Sequence, residues 1–158
     1  MPNLAAAGRF YTQVWHLTVA ARGNTALYLR GSRTDHHLLA LHQASGSPTL
    51  RQVTLRARSA QALSAISAAT LAAGGVVECA VGPASDPAGG QSLLLRDADG
   101  RRFEVVFGDA GHADSSAPEQ PSCLAHVVLN SANVAHTQAF LSRRWASPWL
   151  TAPASWPS

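Results

Sequence analysis

Residues 51–107, RQVTLRARSAQALSAISAATLAAGGVVECAVGPASDPAGGQSLLLRDADGRRFEVVF, decide the fold. Between Arg51 and Arg58, Val53, Leu55 and Ala57 alternate with polar residues, the period of a half-buried strand. Ser59 is an N-cap residue type, and Leu63, Ile66, Thr70 and Leu71 then share one helical face, with Gly74-Gly75 as a left-handed stop. Strands are predicted at 76–81, 91–96 and 102–107, the last two joined by a tight turn at Asp99-Gly100. The order is strand, helix, three strands.

Working outward, the N-terminal side carries the same pattern without its opening strand. Residues 3–14 read as a helix with Asn3 as N-cap and Leu4, Ala7, Tyr11 and Val14 at helical spacing. Strands at 16–20, 25–30 and 37–42 follow, separated by Gly23-Asn24 and Gly31-Ser32. The internal repeat is about 60 residues long. On the C-terminal side a polar linker, 109–122, precedes a third strand-helix beginning. Its strand is predicted at 124–129 and its helix at 134–141, with Val134, Thr137, Phe140 and Leu141 able to face a sheet. From Ser142 the periodicity stops, and 142–158 hold Trp145, Trp149 and Trp156, three of the chain's four tryptophans.

The expected fold class is therefore α+β, built from repeated and incomplete βαβββ modules. The first module, 1–44, lacks its opening strand, 49–108 is a complete second module, and 123–141 begins a third. Residues 142–158 form an aberrant tail.

Composition narrows the functional classes. A chain of 158 residues with 46% apolar content is long enough for one domain or two small modules with a real core. No apolar run approaches the roughly 20 residues that span a bilayer, and the start lacks a basic segment followed by an apolar one, so the expectation is no membrane and a cytoplasmic location. The net charge is +3, every basic residue is Arg, and Arg143 and Arg144 supply two of those charges in a tail without acids. The body is near neutral and has no basic cluster interleaved with aromatics, which argues against nucleic acid as a partner. Cys79 and Cys123, 44 positions apart and without nearby ligands at zinc-finger spacing, read as reduced thiols.

Several segments resemble the type I extradiol ring-cleavage dioxygenases of the vicinal-oxygen-chelate superfamily. They are Arg9-Phe10-Tyr11 through Trp15-His16-Leu17, Leu27-Tyr28-Leu29-Arg30-Gly31, Asp35-His36-His37 with Leu39-Ala40-Leu41, Asp97-Ala98-Asp99-Gly100 before Phe103-Glu104, and His126-Val127-Val128-Leu129. The resemblance covers about positions 3 to 141 and rests on the order and spacing of motifs that are individually weak. It implies a parent with four modules, two of them catalytic. There Fe(II), or Mn(II) in some members, would sit in a 2-His-1-carboxylate triad that leaves room for a catechol-type substrate and O2. The implied function is ring cleavage in aromatic catabolism, with this chain inactive by itself.

The resemblance places the first metal ligand at His126 and the other two on later strands of the third and fourth modules. An alternative metal set is His37, Gln52 and Glu104, because Glu104 matches the carboxylate position in the second module and glyoxalase-like relatives can use Gln on the opening strand. Against it stands a structural role through hydrogen bonds. Alternation along a strand would point His36 and His42 one way and His37 the other. His112 and His136 read as solvated, and Ser131 with His136 lacks an orienting acid for nucleophilic catalysis. The competing functional class is a glyoxalase or bleomycin-resistance-like binding module, which could complete a cleft by pairing with a second copy as a homo-oligomer.

Both ends fit the same expectation of truncation. Met1 to Leu4 falls where a relative would be leaving its first strand. At the other end, a one-base shift near Leu141 can turn the codons of Ser142 to Leu150 into Glu-Gln-Ala-Leu-Gly-Phe-Thr-Leu, a helix end, a Leu-Gly-Phe turn and a strand start. The tail's tryptophans would then have no designed partner and would be exposed.

Overall fold

A computed structural model describes residues 1–115 and 117–144. The tail from Trp145 on, with the expectation about its tryptophans, lies outside the described residues. The chain forms two compact units, Met1–Leu50 with Ala110–His126, and Arg51–Asp109 with the segment from Val127.

The first unit opens with α1, Leu4–Gln13, where the Asn3 side chain accepts a hydrogen bond from the Ala6 amide at 2.8 Å. Three antiparallel strands follow in spatial order: β1 Thr18–Arg22, β2 Ala26–Arg30 and β3 Leu39–His42. The first strand starts later than expected because His16 takes a φ of 56°, a left-handed turn that no strand residue can hold. The core is Leu17, Leu27, Leu29 and Leu41, covered by Leu4, Ala7 and Tyr11 from α1. The α-amino group of Met1 donates to the His42 carbonyl at 2.9 Å, so the start of the chain is fastened to the end of β3.

The second unit is the βαβββ module expected from 51–107. Its elements are β4 Val53–Arg56, α2 Ala60–Ala72, β5 Val76–Pro83, β6 Gln91–Arg96 and β7 Arg102–Phe107. The sheet order is β4-β7-β6-β5, with β4 parallel to β7 and the other pairs antiparallel. One face packs on α2 and is fully apolar: Leu93, Leu95, Phe103 and Val105 meet Ala62, Leu63 and Ile66. Ser59 caps α2 as expected, accepting from the Ala62 amide at 3.2 Å. Leu71, assigned to the buried face from the sequence, is instead 60% exposed. It stands about 100° round the helix from the buried Thr70, which carries it off the stripe. The Asp99-Gly100 turn forms, with Gly100 at φ +81° and the buried Asp97 carboxylate accepting from the Asp99 and Arg101 amides and the Arg101 guanidinium.

Two further expectations fail. The strand predicted at 124–129 does not form: these residues have no ladder partner among the described residues, and Leu124, Val127 and Val128 are exposed. A strand needs a hydrogen-bonded neighbour as well as a pattern. The helix does form, as α3 Val134–Arg144, and Phe140 enters the second unit's core, but Val134 is 70% exposed. Asn133 caps α3 by accepting from the His136 amide, and Thr137 donates to Asp99 while receiving a bond from Arg101. Those polar contacts set which face of α3 turns inward.

Candidate functional site

Glu104 lies on β7 between the buried Phe103 and Val105, so strand alternation turns its side chain to the face opposite α2. Thr54 is its register partner on the parallel β4, and Gln52 precedes Thr54 by two positions on the same face. Gln52 Nε2 donates to Glu104 Oε2 at 2.6 Å, and Thr54 Oγ1 approaches the same oxygen at 3.5 Å. Burial of the half-buried carboxyl and the nearby charge of Asp86 push the Glu104 pKa above its ordinary value, against the hydrogen bonds of Ser92, Gln52 and Thr54. A cation would relieve both causes. In this orientation the amide nitrogen of Gln52 faces the carboxylate; rotating the amide would bring two oxygen donors together, a ligand pair in need of a cation or a shared proton.

Of the alternative metal set, then, the second unit brings Gln52 and Glu104 together. His37 belongs to the first unit. The sequence could not reveal Ser92 and Asp86 as neighbours of Glu104, since neither carries a motif. Thr54 was legible as a same-face neighbour of Gln52.

The histidines of the first unit depart from the sequence reading. His36 and His37 precede β3, so strand alternation does not separate them, and their Nδ1 atoms lie 3.0 Å apart. The Tyr28 ring packs edge-on against His37 with centroids 5.1 Å apart, and the His112 ring lies over His36, also at 5.1 Å. His112 is therefore not simply solvated. Its Nε2 is buried with no hydrogen-bond partner among the described residues, while its backbone amide donates to Thr34. Burial, followed by the charges of Arg30 and His36, holds its pKa below the ordinary imidazole value. His136 is exposed on α3, in agreement with the sequence reading.

His126 is exposed, in the segment without secondary structure before α3. It supplies one imidazole. A facial triad needs a second histidine and a carboxylate beside it. No helix among the described residues is long and apolar enough to cross a membrane.

No family model matches the chain, and no curated protein matches it. Solved structures do. The Mn(II)-bound glyoxalase from Novosphingobium aromaticivorans aligns with a TM-score of 0.82 and 26% identity over 89% of this chain and 48% of its own. A variant of homoprotocatechuate 2,3-dioxygenase from Brevibacterium fuscum, in complex with HPCA, aligns with a TM-score of 0.64 and 21% identity over 73% of this chain and 32% of its own. A complex of that dioxygenase with 3,4-dihydroxyphenylacetate aligns over the same 73% and 36% of its own length. The chain thus spans about half the length of the glyoxalase and about a third of the dioxygenase. With its βαβββ module and a TM-score of 0.82 to the glyoxalase, the chain has the α+β fold of the vicinal-oxygen-chelate superfamily.

Proposed function

We propose that this chain forms part of an extradiol-type dioxygenase that opens catechol-type rings with Fe(II) and O2, with Mn(II) as a substitute metal. The observation that carries the reading is His126. It stands exposed at the motif position where the resemblance expects the first metal ligand. The fold shared with a substrate-bound dioxygenase supports it. Such a metal would supply an open side at which a catechol-type substrate and O2 could both be activated, and His126 would be one of the residues holding it. Here His126 is one donor of three, so no catalytic step is assigned to this chain alone. The βαβββ module acts as scaffold, with its hydrophobic face closed by α2.

The test has two arms. Fe(II) is supplied anaerobically to the purified chain, then several catechols and air are added; sustained formation of yellow ring-opened product by this chain would refute the incomplete ligand set. In the second arm a gene carrying both the shifted frame near Leu141 and an opening strand for the first module is expressed, and its product should cleave a catechol with Fe(II) and lose that activity on His126→Ala. Absence of cleavage with every catechol tried would overturn the reading.

The Gln52–Glu104 pair favours a second reading, a glyoxalase-like metal or small-molecule module completed by a second copy. On that reading Mn(II) binds with one carboxylate and one amide oxygen per chain. Binding should then disappear in Glu104→Gln and persist in His126→Ala, the opposite of the first reading.

A further inference from the structure

The loop between β2 and β3 is held in place far more firmly than a connection of its kind requires. The Ser32 amide donates to Pro121, Ser115 donates back to Ser32, and the His112 amide donates to Thr34. Asp35 forms an isolated antiparallel bridge with Gly111, and the Leu38 amide donates to Leu29 on β2. The Arg30 guanidinium reaches the Ala113 carbonyl at 3.1 Å. Residues 111–115 and Pro121 thus clamp residues 31–38 from one side while β2 holds them from the other.

This clamp holds two adjacent imidazoles with the Nδ1 of one in hydrogen-bond contact with the Nδ1 of the other. Tyr28 pins the His37 ring edge-on, at an interplanar angle of 73°, and His112 covers His36 at a tilt of 30°. Both histidines are half-buried. Their Nδ1 atoms are 3.0 Å apart. Two imidazoles bound to one ion at metal–nitrogen distances of about 2.0–2.1 Å have their nitrogens roughly 2.9 Å apart at a right angle and roughly 3.4 Å apart at a tetrahedral angle. The observed spacing lies inside that range without any movement of the loop.

We propose that His36 and His37 anchor a divalent transition-metal ion through their Nδ1 atoms, a ligand pair that shares no residue with His126 or with the Gln52–Glu104 pair. Without the ion, one ring donates its Nδ1–H to the other. Coordination needs both lone pairs, so the donating ring passes to its Nε2–H tautomer and no redox step is involved. A donor set of two imidazoles selects copper, nickel or zinc over magnesium or calcium, which prefer oxygen. Water fills the remaining positions. The buried and unpartnered Nε2 of His112, in the ring stacked on His36, is a polar group of the same cluster that such water can satisfy. His112 is a positioning residue.

The test uses the untagged full chain titrated with Cu(II) and with Ni(II) by calorimetry. One ion should bind per chain, and Mg(II) should not compete. His36→Ala and His37→Ala should each weaken binding by more than about tenfold, since even outer-shell partners of a metal carry effects of that size. His126→Ala should leave this binding unchanged, which separates it from the metal ligand of the proposed function. Unchanged affinity in both histidine variants, or equal competition by Mg(II), overturns the proposal. Should the alanine variants not fold, Cu(II) added below stoichiometry to the native protein should broaden the imidazole NMR signals of His36 and His37 first; earlier broadening of His16, His126 or His136 overturns it equally.

Discussion

At the scale of single residues, the polar face of the second unit's sheet holds carboxyl groups pushed in opposite directions. Burial and Asp86 raise Glu104, whereas Glu78 on β5 is held below its ordinary value. Burial alone would raise Glu78 too, but hydrogen bonds and charges from Arg102 and Arg96 outweigh it. With its folded pKa below the reference of 4.5, the unfolded chain takes up the proton first as the pH falls. The stability from this cluster is complete above that reference and is lost as the pH drops through the lower folded value. Glu78→Gln should therefore flatten the acid limb of stability. Arg96 is 43% exposed, so solvent screening keeps the effect below about 1 kcal/mol. Urea midpoints of the two proteins between neutral pH and the acid transition should converge as the pH falls; a constant gap would mean that Glu78 does not titrate as described.

At the scale of elements, the end of α2 shows how two neighbouring glycines do different work. Gly74 has a φ of +79° and open space where a methyl group would stand, while Gly75 has its backbone packed against β6. The Gly75 amide donates to the Thr70 carbonyl and the Gly74 amide to Leu71, the paired bonds of a Schellman cap. A methyl group on Gly75 would lie 2.6 Å from the Arg96 carbonyl oxygen and 2.8 Å from Thr70 Cγ2. Gly74→Ala should cost about 1 kcal/mol through its backbone conformation. Gly75→Ala should cost about 2–3 kcal/mol, because the helix must move off the sheet. Denaturant unfolding of the two variants gives the order directly, and a larger loss for Gly74→Ala would contradict this account of the cap.

At the scale of the whole molecule, the chain is threaded through both units. After completing the module it returns to the first unit over residues 110–126 and then contributes α3 to the second. Phe140 is the side chain that makes this last return count, since it is 4% exposed within the core formed by α2 and the sheet. Phe140→Ala should destabilise the second unit by about 3–5 kcal/mol, the range for emptying an aromatic site in a core. Hydrogen exchange should accelerate in β5, β6 and α2, and unchanged protection there would show that α3 is an appendage.

The sequence by itself determined the local order of this protein. Alternation at Val53, Leu55 and Ala57, the caps at Asn3 and Ser59, the glycine stop at Gly74 and the hairpin at Asp99-Gly100 are all properties of neighbouring residues, and they sufficed for the α+β class and for five of the module's elements. Gln52 and Glu104 were also legible as a pair, because the repeat puts them on strands that the module makes adjacent. Tertiary structure decided what depends on partners distant in sequence. The apolar run Leu124 to Leu129 has the pattern of a strand but no neighbour among the described residues, and so remains unpaired. Whether His36 and His37 diverge or converge depends on where β3 begins, and that is set by the Leu38–Leu29 bond and by the returning segment at Gly111. His112 looked solvated because its cover comes from His36, 76 positions earlier, a contact that no local period encodes.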